Sequence, residues 1–207
     1  MKAAAAQLDV SQIPMTLARA RAMLLFILAL CSPVRAAPAQ GPGPSALLYR
    51  GATSFFLQPP PGWRLDSEAG KSDGVLAAVY RVGESWQTGS VVMYAHTLAL
   101  EAGTPAAFSA ELRSAESEWR GRNPDADITT LAAVVSADSS RAVIKRFASV
   151  RSLQFELVAY FQQDSVAPIV VLSARTRAEL DRAYPDFLRL VRSYGKGPEV
   201  KAQRRTG

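Results

Sequence analysis

The stretch 128–173 constrains this chain most. Short runs of β-branched, aromatic and aliphatic residues follow one another there with little between them. Residues 128–135, 142–148, 153–161 and 167–173 are each long enough for a strand and are bounded by polar turn formers such as Ser136, Asp138 and Ser140. Such side chains fit a pleated, half-buried surface, so the pattern reads as consecutive antiparallel strands. Ile169, Val170, Val171 and Leu172 are apolar at every position, which predicts a central strand covered on both faces. In 153–161 the odd positions Leu153, Phe155, Leu157, Ala159 and Phe161 make one apolar face. Gln154 and Glu156 put polar groups on the other face, which is expected to be partly wet.

Upstream, order is expected to begin around Leu47 and Tyr49. Residues 53–58 read as a strand that stops at Pro59, Pro60 and Pro61, because proline cannot donate to a sheet ladder. Trp63 is expected to tuck over an edge of the core. Residues 74–81 and 90–98 form the next strands, joined through the loop 83–89 as a long hairpin.

Two helices complete the inventory. Thr104 is a good N-cap and Pro105 sits at the first helical position, where its missing N–H does no harm. Phe108, Leu112, Ala115 and Trp119 then recur at helical spacing as one apolar stripe. Glu111, Glu116 and Glu118 lie off that stripe and read as the solvated face; Gly121, Asn123 and Pro124 end the helix. Thr176 and Glu179 have capping-box spacing, and Leu180, Tyr184, Phe187, Val191 and Tyr194 make the second stripe. Pro185 falls inside it and predicts a kink or restart, since an interior proline costs about 3 kcal/mol. Strands and helices do not alternate singly, so the fold class is α+β: an α/β/α sandwich with a central, mainly antiparallel sheet of about six or seven strands and helices on both faces.

The ends of the chain read differently. Arg19 and Arg21 precede an apolar block over 23–30, too short to span a bilayer as a helix, and Ser32 and Pro33 break it. Val34, Arg35 and Ala36 then supply small residues where a signal peptidase reads. Residues 1–36 are therefore expected to be a secretory signal peptide cleaved after Ala36, with Ala39 as a second site and Met15 as an alternative start. Cys31 offers another outcome, lipidation as in bacterial lipoproteins, although Leu30 stands where a small residue is normal. Residues 37–46 are a Pro/Gly linker, 47–195 the single domain, and 196–207 a basic tail expected to be disordered.

The net charge of +6 resides in these ends. Lys2, Arg19, Arg21 and Arg35 face only Asp9, and Lys196, Lys201, Arg204 and Arg205 face only Glu199, which leaves 16 basic and 16 acidic residues in 37–195. A neutral body lacks the electrostatic footprint of a nucleic-acid-binding domain. One cysteine and one histidine exclude a disulfide framework within the chain and a zinc site built on Cys/His clusters.

Catalytic motifs are sparse. His96 is the only imidazole; it shares a strand face with Val92, Tyr94 and Leu98 and reads as a hydrogen-bonded strand histidine, with acid–base use as the alternative. No G-x-S-x-G elbow occurs, and the glycines at 195 and 197 lack the phosphate-loop frame. Trp86, mid-loop with no predicted partner, is a candidate contact for another molecule; packing of the loop back onto the domain is the competing account.

The early strand running into Pro60, Pro61, Gly62 and Trp63, the Thr104–Pro105 helix opening, the strand meander, and the closing Arg192, Ser193 and Tyr194 together resemble the Mog–PsbP superfamily, in particular its small bacterial secreted members. The resemblance spans about 47–195 and implies a PsbP-like α/β/α sandwich. It also implies an accessory or binding protein rather than an enzyme, and it transfers no catalytic, cofactor or metal residue. The expectation is a secreted or periplasmic, non-enzymatic module of the cell envelope without a cofactor. Its partner is an envelope protein or small ligand, not a nucleic acid, and a membrane only if Cys31 is lipidated. An envelope hydrolase with a site assembled by the fold, and a lipoprotein tethered through Cys31, are the alternatives.

Overall fold

The computed structural model describes residues 43, 45–50, 53–101, 103–163 and 166–198. The leader, with Met15, Cys31, Ala36 and Ala39, lies outside them, as does the tail from residue 199. The described elements are β1 (Ala46–Arg50), β2 (Thr53–Leu57), β3 (Trp63–Asp66), β4 (Ala77–Arg81), β5 (Val91–Ala99), α1 (Pro105–Arg122), β6 (Asp127–Thr130), β7 (Val134–Val135), β8 (Arg141–Ser149), β9 (Gln154–Phe161), β10 (Val166–Ala174), α2 (Arg177–Arg192) and β11 (Gly195–Lys196). Strands β3-β4-β5-β10-β9-β8-β6 hydrogen-bond in that order, and β7 pairs with β8, making an eight-stranded sheet. A second sheet of three strands has the order β1-β2-β11. Pairing is antiparallel among the described residues.

The all-apolar run places β10 at the centre of the large sheet, between β5 and β9. Alternation along the strands then builds two cores. Leu157, Ala159, Phe161, Val170 and Leu172 point to one face and pack with Leu180, Phe187, Leu190 and Val191 of α2. Val158, Tyr160, Ile169 and Val171 point to the other and pack with Phe108, Leu112 and Trp119 of α1. Each large apolar side chain so buried stabilises the fold by ~1.5–3 kcal/mol, which is what holds the two helices to opposite faces. Tyr194, just past α2, is sandwiched between Phe161 (ring centroids 3.7 Å apart) and Phe55 (5.7 Å), and joins the small sheet to the core.

Helix ends follow the local chemistry. The Thr104 hydroxyl accepts from the Ala107 amide at 3.2 Å, and the Thr176 hydroxyl accepts from the Glu179 amide at 3.2 Å while donating to the Glu179 carboxylate at 2.8 Å. Pro185 neither breaks nor restarts α2, which runs unbroken from Arg177 to Arg192. The proline is on the exposed face, so the carbonyl it leaves without an amide partner can be hydrated.

Other differences from the sequence expectation have local causes. The run 128–135 is two strands, because Thr130 lies opposite Lys145 whereas Val134 lies opposite Ala142, so four steps along the chain match three on β8. That extra residue is a bulge; the Leu131 amide still donates to the Ile144 carbonyl at 2.8 Å, and the ladder resumes only at Val134. Trp63 is itself a strand residue, on the edge strand β3, and the large sheet exceeds the six or seven strands expected. Leu153 is not on the apolar face of β9. It closes the β8–β9 turn with φ 51° and is 65% exposed. The tail does not begin as an irregular segment at Lys196: Gly195 and Lys196 pair with Phe56 and Phe55, and the Gly197 amide donates to the Ser54 carbonyl at 2.9 Å. A Cβ on Gly197 would stand 2.2 Å from Ser54 Oγ, so only glycine lets the chain run this close to β2.

Candidate functional site

The two faces of the large sheet are covered unequally. On the α1 side, Tyr94, His96 and Leu98 of β5 and Glu156 of β9 are half-buried rather than fully covered. The registers lay this face out in rows. Phe147, Glu156 and Ser173 stand side by side across β8, β9 and β10. Lys145, Val158, Val171 and Tyr94 form the next row, and Val143, Tyr160, Ile169 and His96 the one after. Between α1 and these rows lies a cleft of about 230 Å³. Its walls include Tyr94, Trp119, Phe147 and Tyr160, with Glu156 among them and Glu118 and Arg122 from the end of α1.

Two polar ties hold α1 across the sheet. Glu116, predicted as part of the solvated face, instead points to the sheet and pairs with Lys145; their side chains are 19% and 12% exposed. An ion pair with the sheet outweighs the helix surface pattern here, because Lys145 itself faces α1 and needs a counter-charge. Arg120 adds a second partner to Glu116 at 3.2 Å. Glu118 does lie outward and pairs with Arg122 at 3.5 Å, while Glu111 is half-buried. At the helix end, the Ser152 hydroxyl donates to Asn123 Oδ1 at 2.7 Å and the Ser149 hydroxyl to Asp125 at 2.6 Å, so the C-terminus of α1 is tied to the β8–β9 turn. Trp119 packs on Phe147 with ring centroids 5.3 Å apart. Its indole N–H is buried and has no hydrogen-bond partner among the described residues.

The electrostatics of the cleft centre on Glu156. Burial among apolar and aromatic groups pushes its carboxyl up to about 7, against the opposing pull of the Ser173 hydroxyl and the Arg122 charge. Burial also raises the phenol of Tyr160, helped by the charges of Glu156, Glu116 and Glu111, and that of Tyr94, helped by Glu156. Both phenols are therefore neutral donors. The cleft thus holds two neutral phenols, the Arg122 cation at its edge and a carboxyl raised to about 7.

The residues singled out from sequence are placed as follows. His96 sits between Tyr94 and Leu98 on the face of β5 that α1 covers, opposite Ile169. The indole N–H of Trp86 donates to Asp73 Oδ2 at 2.9 Å, and its ring meets Tyr94 edge-on at 5.7 Å, so Trp86 backs a wall of the cleft. Among the described residues no group of three or more His, Cys, Asp or Glu is disposed to hold a metal ion. Glu156 was missed as a site residue. The one available signal was that it is the sole carboxylate within the apolar run 153–161.

No protein-family model matches this sequence, and no curated protein matches it. Among solved structures the chain is similar to cyanobacterial PsbP (CyanoP) from Synechocystis sp. PCC 6803, with TM-score 0.45 and 14% identity over 69% of this chain and 86% of that one. It is also similar to a protein from Bacteroides thetaiotaomicron VPI-5482, with TM-score 0.34 and 9% identity; the match covers 70% of this chain and 46% of that one.

Proposed function

We propose that this chain is an exported, non-catalytic binding module of the cell envelope, and that its working surface is the cleft between α1 and the large sheet. One observation carries the reading: a concave space of about 230 Å³, walled by aromatic and aliphatic side chains and by a comparable share of polar groups, lies beside ties at Glu116–Lys145 and at the end of α1. Pockets of this make-up are where small ligands bind, with the apolar walls supplying affinity and the polar groups orientation. The export part of the proposal rests on the basic, apolar and small-residue pattern ending at Ala36.

The test is a fragment screen by amide and indole NMR on protein purified from cells expressing the whole chain. Shifts should cluster at Tyr94, Trp119, Glu156 and Tyr160. Shifts clustering on another surface, or turnover of a fragment, would remove this reading. N-terminal mass spectrometry of the same sample checks the export part: an unmodified start at Ala37 or Gln40 is expected, and a lipid-bearing Cys31 would replace the soluble module by a tethered one.

A further inference from the structure

We propose that the cleft selects an organic cation, a protonated amine on a small apolar body, with Glu156 as its counter-charge and the rings of Tyr94, Trp119, Phe147 and Tyr160 as its walls. This rests on the preceding reading that the cleft is a ligand site, and goes on to name the class of ligand.

The carboxylates around the cleft are not equivalent. Glu116 pairs with Lys145, and Glu118 pairs with Arg122. Glu156 forms no ion pair among the described residues; it stands between Phe147 and Ser173, whose hydroxyl pulls against the effect of burial. A carboxylate in such surroundings is costly unless a cation meets it. Arg122 acts on Glu156 through its charge without forming an ion pair with it, and is already held by Glu118 at 3.5 Å. A cation entering the cleft would stabilise the ionised form of this carboxyl, which burial otherwise disfavours.

The walls favour the same ligand. Aromatic faces attract a cation through their quadrupoles, most strongly where water is excluded. Four of the rings lining this cleft are aromatic. Trp119 and Phe147 lie 5.3 Å apart at 56°, and Tyr94 is fixed from behind by Trp86. An anionic ligand would meet the field of Glu111, Glu116 and Glu156 that already raises the Tyr160 phenol. A neutral ligand would gain nothing from the charge that Glu156 can carry. The volume of about 230 Å³ is below the range of roughly 300–1,000 Å³ typical of drug-sized sites, which suits a single ring or a short chain.

The experiment compares three probes of one shape on protein purified from cells expressing the whole chain, at roughly pH 8, where Glu156 is ionised. The probes are 2-phenylethylammonium, its neutral isostere 2-phenylethanol, and the anion phenylacetate, titrated by calorimetry and by NMR at the Trp119 indole and the Glu156 amide. The amine is expected to bind about tenfold or more tighter than the alcohol, with phenylacetate weakest, and Glu156→Gln should remove the amine's advantage over the alcohol. If the alcohol binds as tightly as the amine, or phenylacetate binds best, the cation assignment falls and the binding-cleft reading stands. If no probe moves the cleft residues, both fall. The wild-type comparison is decisive even if the Gln variant does not fold.

Discussion

Glu116 on α1 and Lys145 on β8 form an ion pair that bridges helix and sheet beside the cleft, with both side chains largely withdrawn from solvent. Lys145 stands next to Val158 in the sheet, so the pair braces the helix over the row that continues into Val171 and Tyr94.

Removing one partner leaves the other poorly solvated and unmatched. Glu116→Gln is expected to cost about 2 kcal/mol in urea denaturation, and the double change Glu116→Leu with Lys145→Met to recover most of it. The hydrogen bond from Lys145, outweighing burial, holds the Glu116 carboxyl below its usual range. Its contribution is therefore present above the unfolded-state pKa and is lost as pH falls through the folded one. A wild-type-minus-variant stability gap that persists unchanged into strong acid would count against the pair.

Asp138 joins the far end of the domain to the last strand. Its carboxylate accepts from the Ser136 hydroxyl at 2.6 Å, the Ser140 amide at 3.0 Å and the Lys196 amide at 2.7 Å. Burial pushes the carboxyl up, but these hydrogen bonds outweigh it and hold the group down to about 2. Stability from Asp138 is thus expected to persist through mildly acidic pH and to fade as pH drops toward 2. Asp138→Ala should cost about 2 kcal/mol and speed amide exchange at Lys196, read by hydrogen–deuterium exchange; unchanged exchange there would show that the tie is not structural.

Trp63 anchors the edge strand β3 to α2. Its indole N–H donates to Asp186 Oδ2 at 3.0 Å, and the Arg81 guanidinium lies 4.7 Å above its ring. Trp63→Phe keeps most of the buried area but loses the hydrogen bond, for about 1–2 kcal/mol. Trp63→Ala should cost about 3–5 kcal/mol, because the indole is almost fully buried. Equal effects in thermal melts would mean that the ring's packing contributes little.

Glu156 is expected to weaken the fold in the absence of ligand. The groups facing it are Ser173 on β10, Tyr94 on β5, Arg122 on α1 and Tyr160 on its own strand. With its folded-state pKa raised to about 7, the native state binds more protons than the unfolded chain between the two pKa values, so stability falls as pH rises through that window. Glu156→Gln should match wild type near pH 5 and exceed it by about 2 kcal/mol near pH 8. A gap independent of pH would mean that Glu156 does not titrate in that window.

Much of the architecture was legible in local pattern. Thr104 and Thr176 cap the helices they were expected to open. The apolar stripe of Phe108, Leu112 and Trp119 faces the sheet, and the all-apolar 169–172 segment lies at the sheet's centre. These features depend on periodicity and on backbone chemistry within a few residues, which a sequence displays directly. The bulge at 131–133 and the pairing of Gly195 with Phe56 were not legible, because each depends on the strand that happens to lie alongside.

The candidate site shows the same division more sharply. The sequence by itself determined that a lone carboxylate, Glu156, would sit on the less apolar face of β9, and that Trp119 would point toward the sheet. Only the tertiary structure decided that Tyr94 of β5 and Arg122 of α1 would join Phe147 and Tyr160 around that carboxylate, since those two lie more than thirty residues away in the chain. It also decided that Glu116 would turn inward, because Lys145 is its partner only once α1 lies across β8. Side-chain alternation is set by the covalent geometry of the backbone. The dielectric surroundings that move a carboxyl toward neutral pH are set by whatever the fold packs against it.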